Sequence, residues 1–427
     1  MNDNANRSSH PTVSYTLPLI IITTLFFIFG FVTNLNDILI PHLKRACQLN
    51  DFQSAFVQFA FFGAYFLMSL PAGAILKKIG YKKGIVLGLV TCMVGALLFL
   101  PAANSTEYIY FLFALSVLAT GITLLQVAAN PYVSVLGPAH QASSRLSIVG
   151  TFNSIGASLA PHIGGILILS GIEYSASQIQ AMPDVTRMAY LNSEAALVKT
   201  PYLVLAGCLL VIALLIHFSR LPEIELEKDD ISQGNLKGSV LQYRHLVLGI
   251  IAIFTYVGAE VGIGSFIIRY GQSLSIEGFT ERMGSSFVRN YMIGAMVGRL
   301  IGIVVLPKVS TAKALAFNCA IAVLLIIVSI LTQGKFALWC IVLVGLCNSI
   351  MWPAIFPLAI EGLGRFTKKG SSLLIMGVVG GALVPLLIGF VSDQAGIKLA
   401  FIVPALCYLF ILYYGLVGHK PTNLVKP

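Results

Sequence analysis

The sequence predicts an all-α membrane protein of twelve transmembrane helices in two six-helix halves. Three observations carry that prediction. The chain of 427 residues is 57% hydrophobic and 10% charged, with a mean hydropathy of +0.88, whereas soluble domains carry about 25% charged residues. Twelve apolar runs have the length, about 20 residues, that a helix needs to cross a bilayer. One long polar segment divides the runs six and six.

In order, the runs are 17–42, 53–76, 84–102, 108–134, 146–170, 200–218, 244–270, 288–307, 312–332, 336–360, 370–392 and 397–418. The dividing segment is Ser219–Gln242, and a second polar stretch, Gly171–Lys199, lies between the fifth and sixth runs. The expected organisation is a tail 1–16, a half 17–218, a linker 219–243, a half 244–418 and a tail 419–427. An even number of spans puts both termini on one side. With that side inside and residues at span ends counted with the flanking segments, seventeen Lys and Arg residues fall in inner segments and nine in outer ones, and Arg299 alone falls deep within a span. Cytoplasmic loops carry the excess of Lys and Arg, so both termini are expected in the cytoplasm.

The net charge of +10 does not indicate nucleic acid, because the basic residues sit in short turns between apolar runs. Six of the seven cysteines lie in apolar segments and Cys47 lies at a helix end. With no CxxC and no metal-ligand spacing, they read as small membrane hydrophobes. The polar, short N-terminus (Met1–Thr16) is not a cleavable signal. There is no nucleophilic triad, phosphate-binding loop or HExxH motif, and no non-membrane segment large enough for a soluble sensor domain. An enzyme is therefore not expected.

The halves echo each other. Asn130-Pro131 in the fourth span precedes Gly156, Pro161 and Gly164-Gly165 in the fifth; Trp352-Pro353 in the tenth precedes Gly380-Gly381, Pro385 and Gly389 in the eleventh. Repeated halves with helices weakened at matching places characterise transporters, and the breaks point to the binding site.

Polar residues inside the spans carry the candidate chemistry. Asp37, within Gly30–His42 (GFVTNLNDILIPH), is a carboxylate in a hydrocarbon run. An ionised group at the bilayer centre costs roughly 3 kcal/mol, and burial raises a carboxyl's pKa toward neutrality. It could take up a proton on one side and release it on the other, or be pinned by Asn34 and Asn36 as a packing contact. Glu260 in the seventh span could share that coupling, bind a ligand hydroxyl, coordinate sodium with oxygen ligands or pair with Arg299. Asn34, Gln126, Asn130, Asn153 and, less directly, Asn348 offer paired donors and acceptors suited to a hydroxylated ligand, although interhelical hydrogen bonding also explains such amides. Tyr132, Phe152, Tyr256, Trp352 and Phe356 could stack on a ligand's apolar face, with Trp352 beside Pro353 the strongest. His162 ranks below these as a titrating group.

The most specific pieces are Asn34-Leu-Asn-Asp37, Gln126-Val-Ala-Ala-Asn-Pro-Tyr132 with Val135-Leu-Gly-Pro138, Arg145-Leu with Thr151-Phe-Asn-Ser154, Tyr256-Val-Gly-Ala-Glu260 and Trp352-Pro-Ala-Ile-Phe-Pro357. With these, residues 15–418 resemble the major facilitator superfamily. Within it, they resemble the fucose permease and glucose-galactose transporter group of sugar:cation symporters. The resemblance implies alternating access and uptake of a monosaccharide with H+ or Na+ across a bacterial inner membrane. It also implies a chain acting as a monomer, among lipid, with no cofactor beyond the co-transported ion and no nucleic-acid partner. Two departures refine it. The superfamily's acidic position after the second span is Lys77 here, a variant that the sugar-permease group resembles. The fucose permeases' span-four glutamate is Gln126 here, which cannot carry a proton, and this form is closer to the glucose-galactose and N-acetylglucosamine branch.

Overall fold

The computed structural model describes residues 16–49, 51–168, 174, 178–179, 181–219 and 239–421. Nearly all of the N-terminal tail, most of the linker, the last six residues and the side chains of Asn36, Asp37 and His162 lie outside the described residues. Every regular element among the described residues is helical. Lipid offers no water to bond exposed N–H and C=O groups, so a spanning backbone must satisfy them within itself.

The first half contains α1 (Thr16–Ala46), α2 (Asp51–Ser105), α3 (Tyr108–Val135), α4 (Ala142–Ile168), α5 (Asp184–Ala196) and α6 (Lys199–Phe218). The second contains α7 (Arg244–Ser273), α8 (Glu281–Val305), α9 (Thr311–Leu331), α10 (Gly334–Asn348), α11 (Met351–Ile360), α12 (Thr367–Met376), α13 (Gly380–Ala395), α14 (Ile397–Ala400) and α15 (Ile402–Tyr413). Ten stretches are long and apolar enough to cross a membrane. One of them, Phe59–Ser105, has 47 residues; at 1.5 Å per residue it is about 70 Å long, twice a hydrocarbon core. It is two spans meeting at Gly80, whose φ of 82° and ψ of 176° lie outside the helical region. The 27-residue α4 is long enough for a further crossing. The architecture is thus consistent with twelve spans.

Of the expected breaks at matching prolines, only that at Pro353 appears; Pro131, Pro161 and Pro385 lie within continuous helices. The tenth span divides into α10 and α11 around Ser349-Ile350, because Pro353 has no N–H for the Ser349 carbonyl and its ring crowds the preceding turn. The eleventh span tightens to a 3₁₀ turn at Gly377–Val379 between α12 and α13. In the first half, α3 and α4 run unbroken through positions 131 and 161. The end of α3 is instead held by Arg145. Its Nε donates to the Val133 carbonyl at 2.9 Å, Nη2 to Ser134 at 2.7 Å and Nη1 to Pro138 at 2.9 Å. In the sequence Arg145 reads as a topology signal and as part of a motif; in the structure it is a buried helix cap, satisfying carbonyls that the helix leaves free. The polar stretch before the sixth span also contains more order than its composition signals, since residues 184–196 form α5.

Glycines seat the main helix crossings of both halves. A Cβ on Gly30 of α1 would fall on the Asn153 carbonyl of α4, and one on Gly156 would fall on the Phe27 carbonyl. In the second half, a Cβ on Gly380 of α13 would fall on the Phe254 carbonyl of α7, and one on Gly258 on Val384. Backbones this close require small residues. The pairing of Gly156 with Gly380-Gly381 in the sequence is therefore a shared packing device.

The halves meet at their Lys/Arg-rich end. Ser143 Oγ lies 3.2 Å from Thr311 Oγ, Ser144 Oγ donates to the Ile303 carbonyl at 2.9 Å, and Arg299 of α8 reaches Gly150 and Ser154 of α4. On the second seam Gly73 of α2 lies against Ser372 of α12, and Lys368 Nζ sits 5.1 Å from the centre of the Tyr81 ring. A cation over an aromatic face is attractive. It occupies the region where Lys77 replaces the superfamily's usual acid. A further hydrogen bond between the halves joins Trp352 to Asn130.

Gly80→Ala should destabilise the protein by about 1–3 kcal/mol, the cost of a side chain in a conformation that glycine alone adopts readily. Thermal unfolding in detergent should show a lowered midpoint, with Gly63→Ala, where a Cβ meets nothing within 4 Å, as the unaffected control. Equal midpoints would mean that the two spans turn elsewhere. At the far end of α1, burial and then the nearby Glu107 charge push the Cys47 thiol up to about 11. The thiolate is the reactive form, so Cys47 should resist maleimide at pH 7–8 and become reactive as pH rises toward 11. Rapid labelling at pH 7 would contradict this.

Candidate functional site between the halves

The sequence-predicted amides and aromatics converge from both halves. Gln126 and Asn130 stand one turn apart on α3, spacing that places side chains on one face. Gln126 Nε2 donates to the Tyr65 hydroxyl at 3.1 Å. Asn130 is 1% exposed; its Nδ2 donates to the Gln126 carbonyl at 3.0 Å, and its Oδ1 accepts from Trp352 Nε1 at 3.1 Å. That last bond joins the first half to the second. Trp352 stacks on Phe356, ring centres 6.0 Å apart, and approaches Tyr256 at 6.5 Å. An indole with its N–H on an amide and its faces among aromatics offers the mixed surface of a small-molecule pocket.

Behind this junction the second half holds a buried polar chain. Tyr291 donates to the Glu260 backbone carbonyl at 3.2 Å, Asn348 Nδ2 donates to the Tyr291 hydroxyl at 2.6 Å, and Tyr408 donates to Asn348 Oδ1 at 2.7 Å. Asn348 is fully buried. Its amide bridges two phenols, the interhelical role that the sequence left open beside ligand binding. The Glu260 side chain faces the Tyr256 hydroxyl on its own helix, with the Arg299 guanidinium near enough to act on it electrostatically. Among the described residues Glu260 and Arg299 form no ion pair; Arg299 Nη1 donates across the seam to the Gly150 carbonyl at 3.2 Å and to Ser154 Oγ.

The remaining sequence candidates lie apart from this group. Asn34 Nδ2 donates to the Gly30 carbonyl of its own helix at 2.9 Å, and Asn153 Nδ2 to the Phe26 carbonyl of α1 at 3.2 Å. Asp37 lies on α1 three residues after Asn34; its side chain is outside the described residues. Tyr132 is buried against Tyr81, ring centres 6.1 Å apart, and Phe152 is exposed. Two apolar hollows of ≈ 290 Å³, at Leu98–Phe113 and at Asn290–Leu346, touch none of Gln126, Asn130, Trp352 or Glu260. Sequence reasoning missed Tyr65, Tyr291 and Tyr408, and the contact of Ser154 with Arg299. A hydroxyl in an apolar helix looks like packing until its partner from a distant helix is seen.

Two helical halves joined along a polar seam and at the Trp352–Asn130 junction, with buried amides, aromatics and a carboxylate within apolar helices, have the form of a membrane permease. The Major Facilitator Superfamily model matches residues 22–377. The chain is similar to a glucose/galactose transporter of Brucella abortus, 47% identical over 419 residues and covering 98% of each chain. It is also similar to an L-fucose-proton symporter of Escherichia coli, 37% identical over 408 residues, covering 94% of this chain and 93% of that one. Among solved structures, the transporter FucP in the outward conformation superposes with a TM-score of 0.87 at 36% identity, over 96% of this chain and 100% of that one. The chain belongs to the major facilitator superfamily. Its relatives are transporters, not enzymes.

Asn348→Ala should leave the Tyr408 hydroxyl without its partner, at about 1–3 kcal/mol for a buried group left unpaired, and should also take one of two hydrogen bonds from the Tyr291 hydroxyl, which keeps the Glu260 carbonyl. Trp352→Phe leaves only Asn130 Oδ1 unpaired. The thermal midpoint should therefore fall further for Asn348→Ala than for Trp352→Phe. The reverse order would assign the main polar support to the inter-half contact.

Proposed function

We propose that this chain takes up a hexose of the glucose/galactose type together with a proton, by alternating access across a bacterial inner membrane, with both termini cytoplasmic. The observation that carries the reading is the Trp352–Asn130 junction. It brings the amides of one half to the aromatic wall of the other, and a sugar presents hydroxyls to amides and a C–H face to aromatic rings. The glucose/galactose transporter that matches over 98% of the chain supports the substrate class. The L-fucose-proton symporter supports the ion. Gln126, in place of the fucose permeases' acid, favours the glucose/galactose branch over fucose.

In this reading Asp37 and Glu260 carry the proton. Gln126, Asn130, Tyr256 and Trp352 meet the sugar, with Asn34 and Asn153 contributing from α1 and α4 and Asn348 behind. If the Lys/Arg-rich end faces the cytoplasm, the seams at Ser143–Arg299 and Gly73–Ser372 close the inner side. The structure then represents a state ready to load from outside. A proton crossing 100 mV releases about 2.3 kcal/mol, enough for about 50-fold accumulation of a co-transported sugar at 1.4 kcal/mol per tenfold.

Purified protein in proteoliposomes tests this with labelled glucose, galactose, fucose and N-acetylglucosamine under imposed proton or sodium gradients. Glucose or galactose should accumulate under the proton gradient. Asp37→Asn should abolish accumulation and keep exchange. Accumulation under sodium alone would reassign the ion, preference for another sugar would reassign the substrate, and equilibration without accumulation would make the protein a uniporter.

A further inference from the structure

Of the ten stretches fit to cross a membrane, the one in α8 is the least buried, with 22% of its most apolar window inside the protein. Ile293, Val297, Leu300 and Val304 are exposed along it, so this side of α8 looks onto lipid. The helix crosses α10 closely. A Cβ on Gly345 would fall on the Tyr291 carbonyl, and one on Gly294 would lie 3.3 Å from the Leu346 N. Beside that crossing, Ile293, Val297 and Leu343 line the hollow of ≈ 290 Å³ between the two helices.

One end of this hollow is polar. Asn290 and Trp339 line it there, away from the Lys/Arg-rich seam, which α8 reaches at Arg299 about 13 Å further along at 1.5 Å per residue. Trp339 stands edge-on to Phe287, ring centres 5.3 Å apart, and remains exposed. Among the described residues, neither the Asn290 amide nor the Trp339 N–H makes a hydrogen bond. Arg289 is exposed and has no acidic partner among the described residues. It stands one turn before Ile293, on the same side of α8. Unpaired polar groups beside hydrocarbon are costly. This corner therefore calls for a ligand with an acidic group, hydrogen-bond acceptors next to it and a hydrocarbon tail.

We propose that the α8–α10 hollow binds one anionic phospholipid of the bilayer. The phosphate pairs with Arg289, whose planar fork suits it. The ester carbonyls accept from Asn290 and from the Trp339 N–H, a group that only donates. An acyl chain lies along Val297 and Leu343. The volume is at the lower end for small-molecule pockets, which suits one chain, and a free phosphate ion has nothing to place against the apolar walls. The same two helices carry the Asn348–Tyr291 hydrogen bond, so the lipid braces the crossing behind the candidate site.

Trp339 is its own reporter. The chain has two tryptophans, and Trp352→Phe leaves Trp339 as the one that fluoresces. In bilayers containing brominated phosphatidylglycerol or brominated phosphatidylcholine, quenching of Trp339 in the full-length protein reads the lipid at the hollow. Phosphatidylglycerol should be enriched about fivefold over phosphatidylcholine, the equivalent of about 1 kcal/mol for one basic side chain at an anionic headgroup. Arg289→Gln should bring the two lipids to parity, and Asn290→Leu should lower the enrichment. Val297→Phe, which fills the hollow and keeps the charge, should also remove it. Leu300→Phe, on the lipid side of α8 but outside the lining, should leave it unchanged. Equal quenching by the two lipids would overturn the proposal. So would enrichment that survives Val297→Phe, because charge alone would then gather the lipid. Native mass spectrometry of the unsubstituted protein gives a second reading. A single chain should retain phosphatidylglycerol and lose it in Arg289→Gln, whereas a dimer broken by Val297→Phe would assign the hollow to a second copy and overturn the proposal. Neither measurement involves sugar or a gradient, so the result is independent of hexose symport.

Discussion

Inside a bilayer, a polar atom without a partner has no water to turn to, and the arrangement of this protein follows from that constraint. The backbone meets it by becoming helix throughout the described spans. The side chains meet it by finding one another across helices. Asn348 lies between Tyr291 and Tyr408, Gln126 on Tyr65, and Arg145 on three carbonyls at the end of α3. Each such bond fixes one helix against another. The buried polar groups therefore also set the positions of the helices that form the candidate site.

Packing and polarity divide the work differently in the two halves. Both use glycine to bring the first helix of the half against a later one, Gly156 on α1 and Gly380 on α7. This shared device makes the halves alike in architecture. Their breaks are not alike. Among the described residues, only the second half interrupts its α-helices within spans, at Ser349-Ile350 and at Gly377–Val379, and it carries Glu260 and Arg299, of opposite charge. The first half supplies neutral amides on continuous helices, apart from Asp37 on α1. The site is thus formed between a comparatively regular wall and a more irregular, charged one.

The hydrogen bonds across the Ser143–Arg299 seam come from serine, threonine and arginine side chains, and such bonds can be exchanged for others at little cost. The seam at Ser143, Ser144 and Arg299 and the cation–π contact of Lys368 over Tyr81 lie at the same end of the bundle.

Much of this was legible from the residues alone. Length, hydropathy and the Lys/Arg distribution determine a helical membrane protein with two halves, because lipid thickness and backbone satisfaction leave few alternatives. Asn34, Asp37, Gln126, Glu260 and Trp352 stand out because polar and aromatic groups in apolar runs are costly or rare. The partners of those residues were not legible. That Asn348 serves two tyrosines, that Arg145 caps α3, that Pro131 leaves its helix intact and that Arg299 reaches Ser154 rather than Glu260 each depend on helices far apart in sequence coming within 3 Å or so. Local periodicity carries no information about such distances. The sequence by itself determined which groups must be satisfied; only the tertiary structure decided by whom, because a hydrogen bond is a matter of position and position is set by packing.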